Sequence, residues 1–238
     1  MPMELKGERM PQLQVEGIAK KYKKHQVLKE ISFTAKPGEQ VVIVGRNGCG
    51  KSTLLQILAG VLPADKGEIT YYGNKMGKCA GKYRKYCGYV PQENPLLEEL
   101  TVRDNLRLWA AGNKTYTAEI VRLLQLEALQ GTIAGKLSGG MKRRVSIACA
   151  LLSWPPILLM DEPTTALDVY YKETILDWLK SYRDRNGIVV MTSHDEREIQ
   201  SADHIYYMEE GILKEVNSSD PLEEIREYMR EQGDKLWR

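Results

Sequence analysis

The stretch GRNGCGKS at residues 45–52 has glycines, a lysine and a serine in a fixed pattern between two regular elements. The preceding run, QVVIV at 40–44, is apolar at almost every position and predicts a strand buried on both faces. The residues at 52–59 predict a helix that ends at Gly60. The stretch is therefore a loop that connects a buried strand to a helix.

This loop predicts a phosphate-binding site. Its glycines allow the chain to curl tightly, so that successive backbone N–H groups point inward at the positive end of the helix. We expect Lys51 to reach the β- and γ-phosphates of a nucleotide and the Ser52 hydroxyl to contact Mg²⁺. A chance match in a glycine-rich turn is the alternative. The predicted nucleotide-binding residues of the loop are Gly45, Arg46, Asn47, Gly48, Cys49, Gly50, Lys51, Ser52 and Thr53.

Two adjacent acids, Asp161 and Glu162, follow a second apolar run, ILLM at 157–160. We expect this run to form a strand beside the 40–44 strand in a parallel sheet, since the strand ends of such sheets bind ligands. Asp161 can then hold Mg²⁺ directly or through water, while Glu162 orients or deprotonates an attacking water molecule. The alternative is a pair of solvated acids at the end of a strand.

The sequence LSGG at 137–140 leads directly into a predicted helix over 140–152. Ser138 is a good N-cap residue, and Gly139 and Gly140 leave backbone N–H groups unshielded. A helix start of this kind is a second candidate anion site. A motif of this kind alone is more often an ordinary loop. It indicates an anion site here because the other motifs occur in the same chain.

The remaining pattern predicts an α/β fold: a P-loop NTPase core with a mainly parallel sheet and flanking helices. An N-terminal antiparallel β subdomain and an inserted α-helical subdomain, residues 95–153, complete a single domain over 1–238. Predicted strands lie at 13–18, 27–34, 68–72 and 188–192, with a hairpin at 204–216. Predicted helices lie at 101–111, 117–129, 170–185 and 221–231.

Composition indicates an ordinary folded protein and excludes several function classes. Of the 238 residues, 42% are hydrophobic and 28% charged, and the net charge of +2 does not indicate a nucleic-acid partner. No uninterrupted apolar run approaches the about 20 residues of a membrane-spanning helix, and the first residues lack the apolar run of a signal peptide. We therefore expect a cytoplasmic protein whose cysteines are unpaired thiols, namely Cys49, Cys79, Cys87 and Cys149.

With these motifs in this order, the chain resembles the nucleotide-binding domain of the ATP-binding-cassette (ABC) family from about residue 13 to residue 216. The resemblance makes 137–140 the family's signature motif and Gln92 the glutamine that contacts Mg²⁺ and water. It also places the dimer loop at 166–168 and the switch histidine at His194, and it assigns adenine stacking to Tyr22. Met141 departs from the glutamine that this family most often has after its two glycines, which bears on the rate of hydrolysis.

The resemblance implies an ATPase whose cofactors are ATP and Mg²⁺. The catalytic residues that it implies are Glu162, His194, Lys51 and Gln92. The Mg²⁺-binding residues that it implies are Ser52, Gln92 and Asp161. In this family, the signature motif of one subunit covers the ATP that another subunit holds. Ser138, Gly139 and Gly140 are therefore expected to act on a second nucleotide-binding subunit, in a homo- or heterodimer.

The resemblance also implies the partners and the location. A chain with one cassette and no membrane span looks like the ATPase subunit of a transporter, which works with a separate integral membrane permease. Such a subunit would lie in the cytoplasm, peripherally on the cytosolic face of the cell membrane, and would not bind nucleic acid. The docking groove would lie near Gln92 and 93–100, and export is favoured over import.

Several alternatives stay open from the residues alone. Gln92 could be an exposed surface glutamine, His194 a structural histidine after a strand, and Tyr22 one of many tyrosines that pack against a sheet. At the level of function, the rival is a non-transport ABC ATPase that acts on nucleic acid or the ribosome. A small-molecule kinase or a GTPase with the same phosphate loop is disfavoured by the LSGG motif and by the lack of a guanine-reading Asn-Lys-x-Asp sequence.

Overall fold

The structure is a computed structural model that describes residues 13–77, 80–83, 85–110, 114–165 and 167–236. Cys79 and Ala166, which were singled out in the sequence, lie outside the described residues. The strands are, in chain order, β1 (Leu13–Tyr22), β2 (His25–Ala35), β3 (Gln40–Val44), β4 (Lys66–Tyr71), β5 (Asn74–Met76), β6 (Cys87–Val90), β7 (Ile157–Asp161), β8 (Ile188–Thr192), β9 (His204–Glu209) and β10 (Ile212–Glu215).

The helices flank these strands. They are α1 (Lys51–Leu58), α2 (Ala80–Tyr83), α3 (Val102–Trp109), α4 (Lys114–Leu123), α5 (Gly139–Leu151), α6 (Val169–Asp184), α7 (Glu196–Gln200) and α8 (Pro221–Leu236). Two 3₁₀ turns, Glu127–Leu129 and Ala134–Lys136, lie between α4 and α5. In the part of the chain that the structure describes, no helix combines the length and the apolarity that spanning a membrane requires.

The N-terminal part of the fold is an antiparallel sheet of order β2-β1-β4-β5. Strand β1 pairs with β2 and with β4, and its first residues alternate between a buried side chain, as at Leu13 and Val15, and a more exposed one. This period of two is typical of a sheet with one face against a core. The predicted antiparallel β subdomain is confirmed.

The larger sheet has the order β10-β9-β3-β8-β7-β6, and all of its pairs are parallel except β9 with β10. The mainly parallel core with flanking helices is thereby confirmed. The prediction that the 157–160 strand lies beside the 40–44 strand is wrong, because β8 separates β7 from β3. Thr192 at the end of β8 is in register with Ile43 of β3 and with Asp161 of β7. Consequently Thr192, a residue with no predicted role, stands between the two motifs.

Both faces of the larger sheet are covered. Every residue of β3, β7 and β8 is buried, and successive side chains enter two different cores. Val42 and Val44 contribute to the core that contains residues of α3, α5 and α6, whereas Val41 and Ile43 contribute to the core shared with α1 and the antiparallel sheet. Burial on both faces explains why these strands are continuous apolar runs.

One predicted helix is wrong in its extent. The prediction over 117–129 combined two elements, since α4 ends at Leu123 and a separate 3₁₀ turn follows at Glu127–Leu129. Gln125 has a φ of 50°, and the Leu126 N–H donates to the Val121 carbonyl at 2.8 Å. These are the marks of a helix end at a left-handed residue. Glutamine gives no sequence signal for this conformation, which is ordinarily adopted by glycine.

Strand β6 was not predicted either. Its sequence, CGYV, is short and contains Gly88, which weakens a strand pattern. A Cβ atom at Gly88 would lie 2.5 Å from the Ala150 carbonyl oxygen of α5 and 2.8 Å from the Pro155 side chain. Glycine therefore allows α5 to pack closely against this edge of the sheet. This packing brings the start of α5 near the loop that follows β6.

Candidate functional site

The phosphate loop, residues 45–52, connects β3 to α1 as predicted. Gly48 has a φ of 80° and Gly50 a φ of 117°, both in the region that favours glycine. Gly50 is the N-cap of α1, and no side chain accepts a hydrogen bond at this cap. The first N–H groups of the helix are therefore available to an anion.

Lys51 is the cation of this loop and is only 6% exposed. Its Nζ donates to the Gly45 carbonyl at 2.6 Å and to the Arg46 carbonyl at 3.1 Å. Within the described residues, no carboxylate lies within ion-pair distance of this ammonium group. A buried cation that is held only by carbonyls has a strong electrostatic preference for an added anion. The loop therefore fits the phosphates of a nucleotide.

Asp161 and Glu162 are fixed by the same threonine. The Thr192 hydroxyl donates to Asp161 Oδ1 at 2.6 Å and accepts from the Glu162 N–H at 3.0 Å. Asp161 is 2% exposed and ends β7, whereas Glu162 has left the strand with a φ of 47°. A non-glycine residue in this region is strained, and the contacts with Thr192 help to hold it there. Two consecutive acids thus have separate environments, one in the sheet and one in the cleft.

His194 lies beside the second acid, with its Nε2 atom 3.6 Å from Glu162 Oε1. Burial lowers the pKa of His194 from its usual value, the charge of Lys51 lowers it further, and Glu162 opposes both effects. The imidazole is therefore neutral at pH 7 and can accept or donate a hydrogen bond.

These groups surround a cleft of about 490 Å³. Its lining residues are Val27, Asn47, Gly48, Gly50, Lys51, Ser52, Thr53, Gln92 and Glu162. The cleft thus brings together three separate parts of the sequence that were predicted to act jointly: the phosphate loop, the glutamine after β6 and the acid after β7. Asp161 and His194 are not among the lining residues, but Asp161 accepts from Thr192 and His194 lies 3.6 Å from Glu162. Val27 was not predicted.

The signature motif does not line this cleft. Ser138 is exposed and is the N-cap of α5, where its Oγ accepts from the Met141 N–H at 3.3 Å. Gly139 is exposed as well, and a Cβ atom there would meet nothing within 4 Å. The second candidate anion site is therefore open to solvent and separate from the cleft of its own chain.

Tyr22 is at the end of β1, opposite His25 in the hairpin that leads into β2. Its side chain is 45% exposed, and Lys20 Nζ lies 5.7 Å from the ring centroid. It is not among the residues that line the cleft. The adenine-stacking role of this ring stays a prediction.

Comparisons with known proteins agree with this geometry. A family model described as "ABC transporter" matches residues 28–165. The linearmycin resistance ATP-binding protein LnrL of Bacillus subtilis is 35% identical over 218 residues, which are 88% of this chain and 70% of LnrL. The chain belongs to the ABC transporter family.

Two other relatives in the ABC transporter family have names that refer to different directions of transport. The Nod factor export ATP-binding protein I of Rhizobium etli is 34% identical over 225 residues, which are 91% of this chain and 71% of that protein. The sulfate/thiosulfate import ATP-binding protein CysA of Brucella suis is 32% identical over 224 residues, which are 89% of this chain and 62% of CysA. One name refers to export and the other to import.

A solved structure of an ATP-binding cassette is similar in fold, with a TM-score of 0.80 and 28% sequence identity. The match covers 87% of this chain and 99% of that one, which is a dimer in a post-hydrolysis state with ADP and Pi bound. As a member of the ABC transporter family, this chain is an ATPase, and ATP and Mg²⁺ are its cofactors. ATP-binding subunits of this family work as dimers with membrane subunits.

Besides Val27, two residues that support this ABC site were missed in the sequence. Thr192 ends a predicted strand, and its hydroxyl could have been noticed as a polar group at the end of an apolar run. Arg143 stands in a helix where arginine usually indicates a solvated face, yet it is 3% exposed and donates to the Glu162 carbonyl at 2.8 Å. No sequence signal announces that contact.

Proposed function

We propose that this chain hydrolyses ATP in the cleft between the phosphate loop and Glu162. The buried Lys51 ammonium and the N–H groups at the start of α1 would bind the β- and γ-phosphates. Ser52, Asp161 and Gln92 would hold Mg²⁺, because hydroxyl, carboxylate and amide oxygens are the ligands this ion prefers. The Mg²⁺ ion, when bound, would neutralise charge that develops on the β- and γ-phosphates.

The reaction would be an in-line displacement. Water attacks the γ-phosphorus while the bond from this phosphorus to the bridging oxygen of ADP breaks, so that ADP leaves with the bond electrons. Glu162 would orient the water and accept its proton, because it lines the cleft and its backbone is held on both sides by Thr192 and Arg143. The neutral His194, in reach of Glu162, would donate a hydrogen bond to the γ-phosphate.

A second copy would complete each site. The observation that carries this part is the absence of 138–140 from the lining of the chain's own cleft, although Ser138 presents an exposed helix start. A helix N-terminus with unshielded glycine N–H groups is suited to the γ-phosphate of an ATP molecule bound elsewhere. The similar cassette that is dimeric with ADP and Pi supports the same arrangement. ATP would then favour the closed dimer, and hydrolysis would release it.

The function that follows is the ATP-driven part of a transporter. The chain would dock on a separate integral membrane permease from the cytosolic face of the membrane. Large apolar side chains near the loop after Gln92 are exposed, at Leu97 and at Leu108 and Trp109 of α3. These three residues form the proposed docking patch, whose apolar area would otherwise face water at a cost. Leu97 follows Gln92 by five residues in the chain, which would connect docking to the nucleotide site.

For the direction of transport we propose export, with import as the open alternative. The names of a resistance protein and of a Nod factor export protein favour it, whereas the name of a sulfate import protein opposes it. In inside-out membrane vesicles, export predicts ATP-dependent uptake of the substrate into the lumen. ATP-dependent release of preloaded substrate from the lumen of these vesicles would establish import.

Affinity purification from detergent-solubilised membranes tests the transporter assignment. We expect the tagged chain to bring down an integral membrane protein and to hydrolyse ATP faster when the two are reconstituted in liposomes. Trp109→Glu should weaken this association without changing the ATPase rate of the isolated chain, because Trp109 does not line the cleft. Glu119→Gln, at another exposed position, is the control. Purification with ribosomes or nucleic acid instead would favour the non-transport alternative.

A further inference from the structure

Arg143 is a buried cation whose role is not explained by the motif in which it stands. It lies on α5, four residues beyond Gly139, and is 3% exposed. Burial lowers the pKa of its guanidinium, and Asp161 and Glu162 oppose this effect by their negative charge. A buried arginine is costly unless all of its donors and its charge are satisfied.

The N–H donors of Arg143 are matched to backbone carbonyls of two different segments. Nε donates to Pro163 at 3.0 Å, and Nη2 donates to Asp161 at 2.6 Å and to Glu162 at 2.8 Å. Nη1 donates to the carbonyls of Pro91 and Gln92, the latter at 3.3 Å. A guanidinium has five N–H groups in one plane, so this set of acceptors uses its full capacity.

The two segments that Arg143 joins carry the residues proposed for hydrolysis. Gln92 belongs to one segment, and Asp161 and Glu162 belong to the other. No ladder connects these loops directly, because the pairing of β6 with β7 ends at Val90 and Met160. Beyond that point the guanidinium is the described group that spans the gap between them.

We propose that Arg143 is a positioning residue that holds the Gln92 segment and the 161–163 segment in the geometry required for hydrolysis, and fixes both to the start of α5. The proposal rests on the proposed roles of Glu162 and Gln92. The hydrogen bonds of the guanidinium all go to backbone carbonyls, so it acts through the placement of other groups rather than on ATP itself. Since it leaves the phosphate loop untouched, its loss should impair the chemical step more than nucleotide binding.

Arg144 provides a matched control. It is the next residue on the same helix and is 5% exposed, so it is buried to the same degree. Its Nη1 donates to the Leu124 carbonyl at 3.0 Å, and its guanidinium carbon lies 3.9 Å from the ring centroid of Tyr171. These contacts are with the helical region and α6 and not with the Gln92 or Glu162 segments.

The test compares Arg143→Lys with Arg144→Lys and with the unaltered chain. Lysine keeps the charge but cannot reach five carbonyls in a plane. We expect Arg143→Lys to lower kcat about 10- to 100-fold. The Kd for the ATP analogue AMP-PNP, measured in the presence of Mg²⁺, should change less than about threefold. Hydrogen exchange at the amides of 92 and 162 should accelerate in this variant alone. Arg144→Lys should retain kcat even if its melting temperature falls equally.

Three results would overturn the proposal. They are a kcat for Arg143→Lys within about threefold of the unaltered chain, a Kd that rises as much as kcat falls, and an equal loss of kcat in Arg144→Lys. If Arg143→Lys does not fold, Arg143→Gln takes its place with the same expectation. Failure of both to fold while Arg144→Lys folds would make Arg143 a stability determinant instead. Lack of hydrolysis by the unaltered chain would contradict the proposed function and this inference with it, whereas the three results above contradict this inference alone.

Discussion

Replacing the acid in the cleft, Glu162→Gln, should abolish most hydrolysis and leave nucleotide binding intact. The backbone of this residue is held by Thr192 and by Arg143, and neither contact involves the side chain. The side-chain contacts are a hydrogen bond from Thr165 at 3.3 Å and the approach of His194 at 3.6 Å. A glutamine oxygen can still accept from Thr165, so the substitution removes a charge and a proton acceptor without removing support from the loop.

The expected loss can be stated as a free energy. A positioned general base contributes about 10² to 10⁴-fold to a rate, which at 1.36 kcal/mol per tenfold is about 2.7 to 5.4 kcal/mol of barrier. Affinity for ATP should not fall, because the γ-phosphate no longer faces the Glu162 carboxylate. With binding kept and hydrolysis lost, ATP should hold the dimer closed.

Three assays on the same preparation check this prediction. Phosphate release gives the rate, equilibrium binding of ATP gives the affinity, and size-exclusion chromatography with ATP and Mg²⁺ gives the oligomeric state. Glu173→Gln is the control, since it removes an exposed carboxylate whose partner is Arg197 on the protein surface. A hydrolysis rate of Glu162→Gln within about threefold of the unaltered chain would refute the role of the acid as a base.

Further predictions concern residues at the edges of the site. Tyr22→Leu should weaken ATP binding about 5- to 150-fold, the equivalent of about 1 to 3 kcal/mol of base stacking, in an equilibrium titration; unchanged affinity would show that the exposed ring does not stack. Alkylation of Cys49, followed by mass spectrometry, should be slow at pH 7, because burial raises the pKa of its thiol and the thiolate is the reactive form. The rate should rise with pH and fall when ATP is bound, and equal rates with and without ATP would contradict the placement of the loop. Met141→Gln should change kcat but not ATP affinity, since the Ser138 cap uses the backbone N–H of residue 141; lost affinity would show that this side chain supports the site.

Local sequence was sufficient for the parts of the fold that depend on neighbouring residues. The QVVIV strand was predicted with its observed bounds, and the helix that follows the phosphate loop begins one residue earlier than predicted and ends one residue earlier. Burial on both faces makes such a strand apolar throughout. Glycines between a buried strand and a helix are typical of a loop that binds phosphate. The motif therefore contained most of the information that the structure uses locally.

The order of the strands could not be predicted in the same way. Strand β8 lies between β3 and β7, and nothing in an apolar run specifies which other run pairs with it. This misplacement hid the role of Thr192, whose hydroxyl reaches Asp161 only because β8 and β7 are neighbours. Side chains that act across a sheet are therefore found from the structure and not from the spacing of motifs.

The burial of Arg143 could not be predicted from the sequence either. In LSGGMKRR, residues 137–144, three consecutive cationic side chains suggest a solvated helix surface, and only Lys142 of these pairs with an acid at the surface, Glu98 at 2.5 Å. Arg143 is buried because carbonyls of two loops converge at its position, and those loops come from distant parts of the chain. A backbone carbonyl can accept a hydrogen bond whatever the side chain of its residue. No pattern of residue types therefore reveals which carbonyls will bind Arg143.

A structure of Glu162→Gln with ATP and Mg²⁺ tests the composite site most directly. It should show two copies facing each other, with each triphosphate between Lys51 of one copy and Ser138 of its mate, and with Mg²⁺ near Ser52 and Asp161. Nucleotide bound by a lone chain at saturating concentration, or held in a dimer in which Ser138 remains in solvent, would contradict the account.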